Sequence, residues 1–298
     1  MANASVDMKA YLEPLILITA IIIGAFSGIV YSIKVNLVDY SIIAMLFFLF
    51  FNVPIRHLLR GVKNKKYLLT AWLANFILLP TIAFIIASIF VDNHSMIFVG
   101  LIFYLVAPCT DWFLGFTKLA NGDVDINLAI LPINLISQIL LLPVYLFLFT
   151  NSSAQVELNA FFDVFFYWVL YPFLFAQFIR FICSKIGQVA LEKSAEFSER
   201  GMFISLIILI FAIFNNNIQS LLSNLSILPV TLLVVACFFL AVYFLGLLIS
   251  KKAGFTQAEK ASLIVTTSAR NTPLMLAISV GLFPNETVIQ LILVLGML

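Results

Sequence analysis

The sequence predicts an all-α integral membrane protein with ten transmembrane helices. Of its 298 residues, 63% are hydrophobic and only 10% are charged, whereas a soluble domain carries about 25% charged residues. A spanning helix needs about 20 residues, so ten of them would use most of the chain. We therefore expect a protein embedded in the lipid bilayer, with short connections and no separate soluble domain.

Apolar runs separated by charged residues or by Pro, Gly and Asn clusters mark the ten helices. They cover residues 11–31, 37–54, 67–90, 95–118, 125–150, 158–181, 201–218, 227–250, 257–282 and 285–298. The last run is shorter than the roughly 30 Å hydrocarbon core requires, so we expect the natural chain to continue beyond it. No cleavable signal precedes the first run, which is expected to direct membrane insertion itself.

The basic residues predict the orientation, because cytoplasmic loops retain Lys and Arg. Residues 54–66 alone contain Arg56, Arg60, Lys63, Lys65 and Lys66. Placing this segment inside puts fourteen of the sixteen Lys and Arg residues on the same side. The sequence thus predicts a multi-pass protein of the plasma (inner) membrane with both termini in the cytoplasm.

A central basic segment, 182–200, is predicted as a loop between the sixth and seventh helices, and the chain divides into two sets of five helices, residues 1–150 and 151–298. An odd number of helices in each half gives the halves opposite orientations. Such inverted repeats are typical of secondary transporters, whose sites lie near the midplane where helices of the two halves are broken. The predicted organisation is one membrane domain built from two five-helix repeats.

The fourth and ninth helices are predicted to be discontinuous and to cross. Pro108 lies within the polar run Pro-Cys-Thr-Asp of the fourth helix, and Pro273 follows a run of Thr, Ser, Arg and Asn in the ninth. Proline removes a backbone donor and clashes with the preceding turn, so each helix should break there. Two breaks at matched positions favour a transporter site at the crossing.

Asp111 and Arg270 are the ionisable residues nearest the centre of these two helices. A charge at this depth survives only in a cavity or beside a partner, so we expect the two side chains to face each other. The alternative is that each snorkels or pairs with backbone groups. Cys109 has two interpretations as well, a soft ligand for trivalent arsenic or a small packing residue.

Further polar residues are expected to line the cavity or bind the substrate or ion. Asn134 and Gln138 lie four residues apart on one helical face, and hydrogen bonding between helices is the alternative for both. That alternative is the favoured interpretation for Asn75. The other predicted lining residues are Thr110, Thr267, Ser268 and Asn271.

Several function classes are disfavoured. A net charge of +2 gives no indication of a nucleic-acid partner. Cys109, Cys183 and Cys237 lack metal-ligand spacing, and no nucleotide-binding or hydrolase motif is present. We therefore expect no enzyme activity, no bound metal and no cofactor beyond a transported H⁺ or Na⁺.

At these residues the chain resembles the bile acid:sodium symporter superfamily and, within it, the arsenite exporters. The resemblance depends on Ala-Pro-Cys-Thr at 107–110, Leu-Ala-Asn-Gly-Asp at 119–123 and Asn-Thr-Pro-Leu-Met-Leu-Ala-Ile-Ser at 271–279, and it extends over most of the chain. It implies a panel domain and a core domain, broken helices that cross in the core, and transport by alternating access.

The chain departs from the family pattern in the ninth helix. Arsenite exporters carry a glutamate just after the asparagine that matches Asn271, where this chain has Thr-Pro-Leu-Met. Sodium-coupled relatives carry a carboxylate a few residues before it, where this chain has Thr266 and Thr267. No acidic residue lies between Glu259 and Glu286, so neither proton nor sodium coupling follows directly from the resemblance.

The leading interpretation is proton-driven efflux of arsenite or a related metalloid. Cys109 would contact the metalloid, and Asp111 and Arg270 would couple charge. The alternative is a sodium- or proton-coupled transporter of an organic anion, with Arg270 and the half-helix N-termini holding a carboxylate. A sensor or scaffold without flux is a third reading, and the sequence leaves open a homodimer and the identity of the small-molecule or oxyanion substrate.

Overall fold

The structure, a computed structural model, describes residues 2–31, 37–52, 64–110, 113–149, 163, 165–223 and 225–297. The regular elements of these residues are helices. In chain order they are α1 Ala2–Val30, α2 Leu37–Asn52, α3 Lys65–Phe90, α4 Met96–Val106, α5 Phe113–Leu119, α6 Val124–Phe149, a π-helical segment Phe165–Leu170, α7 Tyr171–Ile186, α8 Gln188–Ser223, α9 Ile227–Ala253, α10 Gln257–Ser268, α11 Thr272–Leu282 and α12 Thr287–Met297.

Four of the described helices, namely α3, α6, α8 and α9, are each long and apolar enough to cross a membrane. Shorter apolar helices accompany them, among them α2, α4, α11 and α12. An all-helical, multi-pass membrane protein is therefore confirmed at this level. The count of ten spans and the inverted repeat stay predictions.

The helices form two compact units, each of which takes helices from both halves of the chain. The first unit contains α1, α2, α7 and α8. The second contains α3 to α6, α9 to α11 and most of α12. Both predicted helix interruptions lie in the second unit.

In the first unit, α1 and α8 approach each other through small residues. A Cβ added at Gly24 would lie 2.6 Å from the carbonyl oxygen of Phe211, and one at Gly28 would overlap the carbonyl oxygen of Asn215. The Asn215 amide donates to Ser27 Oγ at 2.9 Å and to the Tyr31 carbonyl at 3.0 Å. This Gly-xxx-Gly contact lets the two backbones touch, as small residues do between membrane helices.

The prediction of a loop at 182–200 is wrong, because α8 already begins at Gln188. The segment from 189 onwards is rich in Ala, Leu, Glu and Lys, which are strong helix formers. Gln188 Nε2 donates to Glu192 Oε1 one turn later, and Ser198 Oγ donates to the Phe48 carbonyl at 2.9 Å. A charged sequence can thus continue a helix past the apolar run that hydropathy detects.

Candidate functional site

The two predicted interruptions are present, and they pair with each other. α4 ends at Val106 and α10 ends at Ser268, and the residues that follow are extended. Pro108 and Arg270 form an antiparallel β-bridge. The Cys109 N–H donates to the Ala269 carbonyl and the Asn271 N–H donates to the Ala107 carbonyl, both at 2.9 Å. We call this paired region, residues 107–110 with 269–271, the crossing.

The prolines and Asn271 explain why the chain leaves and re-enters helix here. Pro108 lies inside the extended segment, whereas Pro273 lies in the first turn of α11, where its missing N–H needs no partner. Asn271 caps α11 by accepting from the Leu274 N–H at 3.4 Å. Its Nδ2 also donates to Thr110 Oγ1 at 3.0 Å, which joins the two interrupted segments by a side-chain bond.

Arg270 is buried at the crossing, with only 8% of its surface exposed. Its guanidinium donates to the carbonyl oxygens of Leu105 at 2.8 Å and Ser268 at 3.2 Å, and to that of Thr267. The guanidinium carbon lies 5.5 Å from the ring centre of Phe238, on α9. The predicted partner, Asp111, lies outside the described residues, so the proposed ion pair stays a prediction.

The remaining predicted residues of the two broken helices take different positions. Cys109 is buried, with 4% of its surface exposed. Thr267 Oγ1 donates to the Leu263 carbonyl at 2.7 Å within α10, and Ser268 contributes its carbonyl to Arg270. Within the part of the chain that the structure describes, no three His, Cys, Asp or Glu side chains come close enough to hold a metal ion.

Asn134 and Gln138 lie on a buried polar stripe of α6. Asn134 Nδ2 donates to Thr266 Oγ1 at 3.4 Å, and Asn75 Nδ2 approaches the same oxygen at 3.5 Å. Asn75 lies in a π-helical turn of α3, Ala74–Leu78, a distortion frequent at functional sites. Among the described residues, no partner is present for Oδ1 of Asn75 and Asn134 or for either amide atom of Gln138.

Unpaired polar atoms in a buried position are rare in proteins, so the four unpaired amide atoms of Asn75, Asn134 and Gln138 require an explanation.

Sequence reasoning did not select Thr266, whose hydroxyl connects α3, α6 and α10. A signal was present, because Ser262 and Thr266 lie four residues apart and Asn127, Asn134 and Gln138 follow helical spacing.

A second buried network surrounds the end of α5. Tyr67 Oη donates to Asn127 Oδ1 at 2.7 Å, and Asn127 Nδ2 donates to Thr117 Oγ1 at 2.7 Å and to the Ser262 carbonyl at 3.2 Å. All four residues are fully buried. This network fixes α3, α5, α6 and α10 relative to one another within the second unit.

The Leu-Ala-Asn-Gly-Asp motif forms the turn between α5 and α6. Asn121 has φ +54°, and the Gly122 N–H donates to the Thr117 carbonyl at 2.8 Å, as at many helix C-termini. Asp123 then caps α6 by accepting from the N–H groups of Asp125 and Ile126. Its own N–H donates to Ser262 Oγ at 2.7 Å, which docks the turn on α10.

Comparison with known proteins fits this architecture. The arsenical-resistance protein Acr3 of Corynebacterium glutamicum is 24% identical over 242 residues, which make up 75% of this chain and 64% of that protein. The chain therefore spans just under two thirds of the relative's length. A family model described as the Sodium Bile acid symporter family matches residues 39–243, and symporters are membrane transporters rather than enzymes. Because this match covers more than half of the sequence, the chain belongs to the sodium bile acid symporter family.

Proposed function

We propose that the chain is a secondary transporter that exports arsenite or a related metalloid from the cell, driven by the proton gradient. The crossing carries this proposal, because it places a buried cysteine, Cys109, and a buried cation, Arg270, where two half-helices meet. Sites of secondary transporters are built from such discontinuous helices. The similarity to an arsenical-resistance protein supports the choice of substrate.

The buried polar groups suit this substrate chemically. Arsenite is a neutral trihydroxide near neutral pH, so its hydroxyl groups donate hydrogen bonds. The unpaired oxygens of Asn75, Asn134 and Gln138 are acceptors, and a thiol is a soft ligand for trivalent arsenic. In this proposal Cys109 contacts the metalloid, the three amides and Thr110 receive its hydroxyls, and Asp111 is the coupling acid.

The proposal includes a topology and an assembly. The ten spans form two inverted repeats, residues 1–150 and 151–298, with both termini in the cytoplasm and the protein in the plasma membrane. Alternating access moves the substrate past the crossing, where Thr267, Ser268, Arg270 and Asn271 complete the lining. A homodimer is compatible with this topology.

Arsenite flux into proteoliposomes under an imposed pH gradient tests the function. We expect flux in the unmodified protein that depends on the gradient, and loss of gradient-driven flux in Cys109→Ala and Asp111→Asn. Cys183→Ala is the matched control, because Cys183 lies in α7 of the first unit, and it should transport normally. Flux that survives Cys109→Ala would remove the cysteine from the site, and silence under every gradient would favour a sensor or scaffold.

The second candidate is transport of an organic anion, which the family description favours. In this case a carboxylate substrate would bind Arg270, and Cys109→Ala would leave transport unchanged. Uptake of a radiolabelled bile acid by the same proteoliposomes separates the two candidates. Bile acid uptake without arsenite flux would replace the first proposal by the second.

A further inference from the structure

The guanidinium of Arg270 joins the C-terminal ends of two interrupted helices. Leu105 lies in the last turn of α4, and Thr267 and Ser268 end α10. All three carbonyl oxygens accept hydrogen bonds from this one side chain. The bonds run from three different nitrogens, so the planar fork is engaged by both helices at once.

Helix C-termini are places where a cation is expected. The last carbonyls of a helix have no partner within it, and the helix dipole gives this end about half a negative charge. Two such ends meet at the crossing, inside a protein interior where an unpaired carbonyl is costly. In transporters with broken helices, half-helix C-terminal ends and unwound carbonyls are the groups that coordinate Na⁺ or H⁺.

We infer that Arg270 is a tethered cation that permanently occupies the position where a coupling Na⁺ would otherwise bind between the ends of α4 and α10. The ring of Phe238, fully buried and 5.5 Å from the guanidinium carbon, covers the charge by a cation–π contact. The inference deepens the proposed function, on which it rests, by removing Na⁺ from the coupling ions at this position. It also explains how the protein retains a buried positive charge.

The chain contains a matched control in its first unit. Arg180 Nη1 donates to the Phe51 carbonyl at the end of α2, and its guanidinium carbon lies 5.8 Å from the Phe51 ring. As at Arg270, a guanidinium donates to a carbonyl near a helix end and lies near a phenylalanine ring, but here the carbonyl belongs to one helix, α2. Removing Arg180 therefore deletes a guanidinium without opening a site between two half-helices.

The test measures thermal unfolding of the purified protein in detergent, titrated with low-millimolar NaCl, guanidinium chloride or choline chloride at constant ionic strength. The unmodified protein should show no shift specific to Na⁺. Arg270→Ala should unfold several degrees lower and recover part of that loss saturably with Na⁺ and with guanidinium, and not with choline. Arg180→Ala should show no saturable recovery with any of the three cations.

Arg270→Lys keeps a positive charge at the crossing and guards against a failure of Arg270→Ala to fold. It should remain insensitive to Na⁺. Saturable stabilisation of the unmodified protein or of Arg270→Lys by Na⁺ would overturn the inference, as would a folded Arg270→Ala that Na⁺ does not stabilise. The unfolding measurement uses no substrate, so its outcome is independent of arsenite flux. A failure of the proposed function and a failure of this inference can therefore be told apart.

Discussion

The side-chain bond between Asn271 and Thr110 gives a quantitative test of the crossing. Asn271→Ala removes the cap of α11, worth about 1 kcal/mol, and a buried hydrogen bond to Thr110 worth about 1 kcal/mol. The expected loss in the free energy of unfolding is therefore about 2 kcal/mol. Thr110→Val removes only the shared bond and should cost about 1 kcal/mol.

A double-mutant cycle isolates the shared bond. Combining Asn271→Ala with Thr110→Val should cost about 1 kcal/mol less than the sum of the single losses, because the same hydrogen bond is deleted twice. The measurement is denaturant unfolding in detergent micelles. Ser95→Ala is the control, because Ser95 caps the opposite end of α4 and its loss should add to that of Thr110→Val within about 0.5 kcal/mol. If the losses in unfolding free energy from Asn271→Ala and Thr110→Val simply add in the double variant, the hydrogen bond between the broken segments is refuted.

Three further predictions concern packing and hydrogen bonding within the two units. Gly122→Ala should lower the free energy of unfolding by about 1–3 kcal/mol, because its Cβ would lie 2.8 Å from two side-chain atoms. Gly115→Ala is the control and should cost nothing, because its Cβ would have no atom within 4 Å. Equal effects of the two substitutions would contradict the docked turn. Gly28→Ala should destabilise the protein by a similar amount through its overlap with α8, and an unchanged melting temperature would argue against that helix contact. Tyr67→Phe should cost about 1 kcal/mol by deleting the bond to Asn127, measured by the same unfolding assay; no loss would remove this bond from the network.

The sequence predicted the interruptions because proline has a direct backbone consequence. Neither Pro108 nor Pro273 can donate the backbone hydrogen bond that a continuous helix would need at its position, and both fall in or beside the crossing. The partners of Arg270 were harder to predict. The leading expectation pairs the arginine with the carboxylate of Asp111. The described partners agree with the alternative, pairing with backbone groups, and these carbonyls lack a helical partner only because the helices end there. Every residue carries a backbone carbonyl, so residue type alone does not indicate which carbonyls lie at a helix end.

The polar stripe of α6 was predicted only in part. The spacing of Asn134 and Gln138 predicts their place on the stripe, whereas Thr266 is not among the predicted lining residues. Nothing in the sequence separates it from Thr267, whose hydroxyl bonds its own helix backbone. Thr266 instead receives two amides from other helices. Its role depends on which face of α10 meets α3 and α6, and tertiary packing decides that face.

A tethered cation constrains how the transporter gains energy. A coupling ion supplies energy only if it binds from one side and leaves to the other, with different affinities for the two states. A guanidinium attached to the chain does neither, so Arg270 stabilises the crossing without drawing on a gradient. In the proposed function, coupling depends on a group that exchanges protons with the solution, and Asp111 is the carboxylate adjacent to the crossing in sequence.

Asp111→Asn should therefore separate movement of substrate from its accumulation. Downhill arsenite exchange should persist, because the crossing and Cys109 are intact, whereas accumulation against a gradient under an imposed pH difference should disappear. Both are measured in the same proteoliposomes, with Asp125→Asn as the control, since Asp125 lies in the first turn of α6 and is exposed. Accumulation that survives Asp111→Asn would place the coupling acid elsewhere in the chain, and loss of downhill exchange would make Asp111 a substrate contact instead.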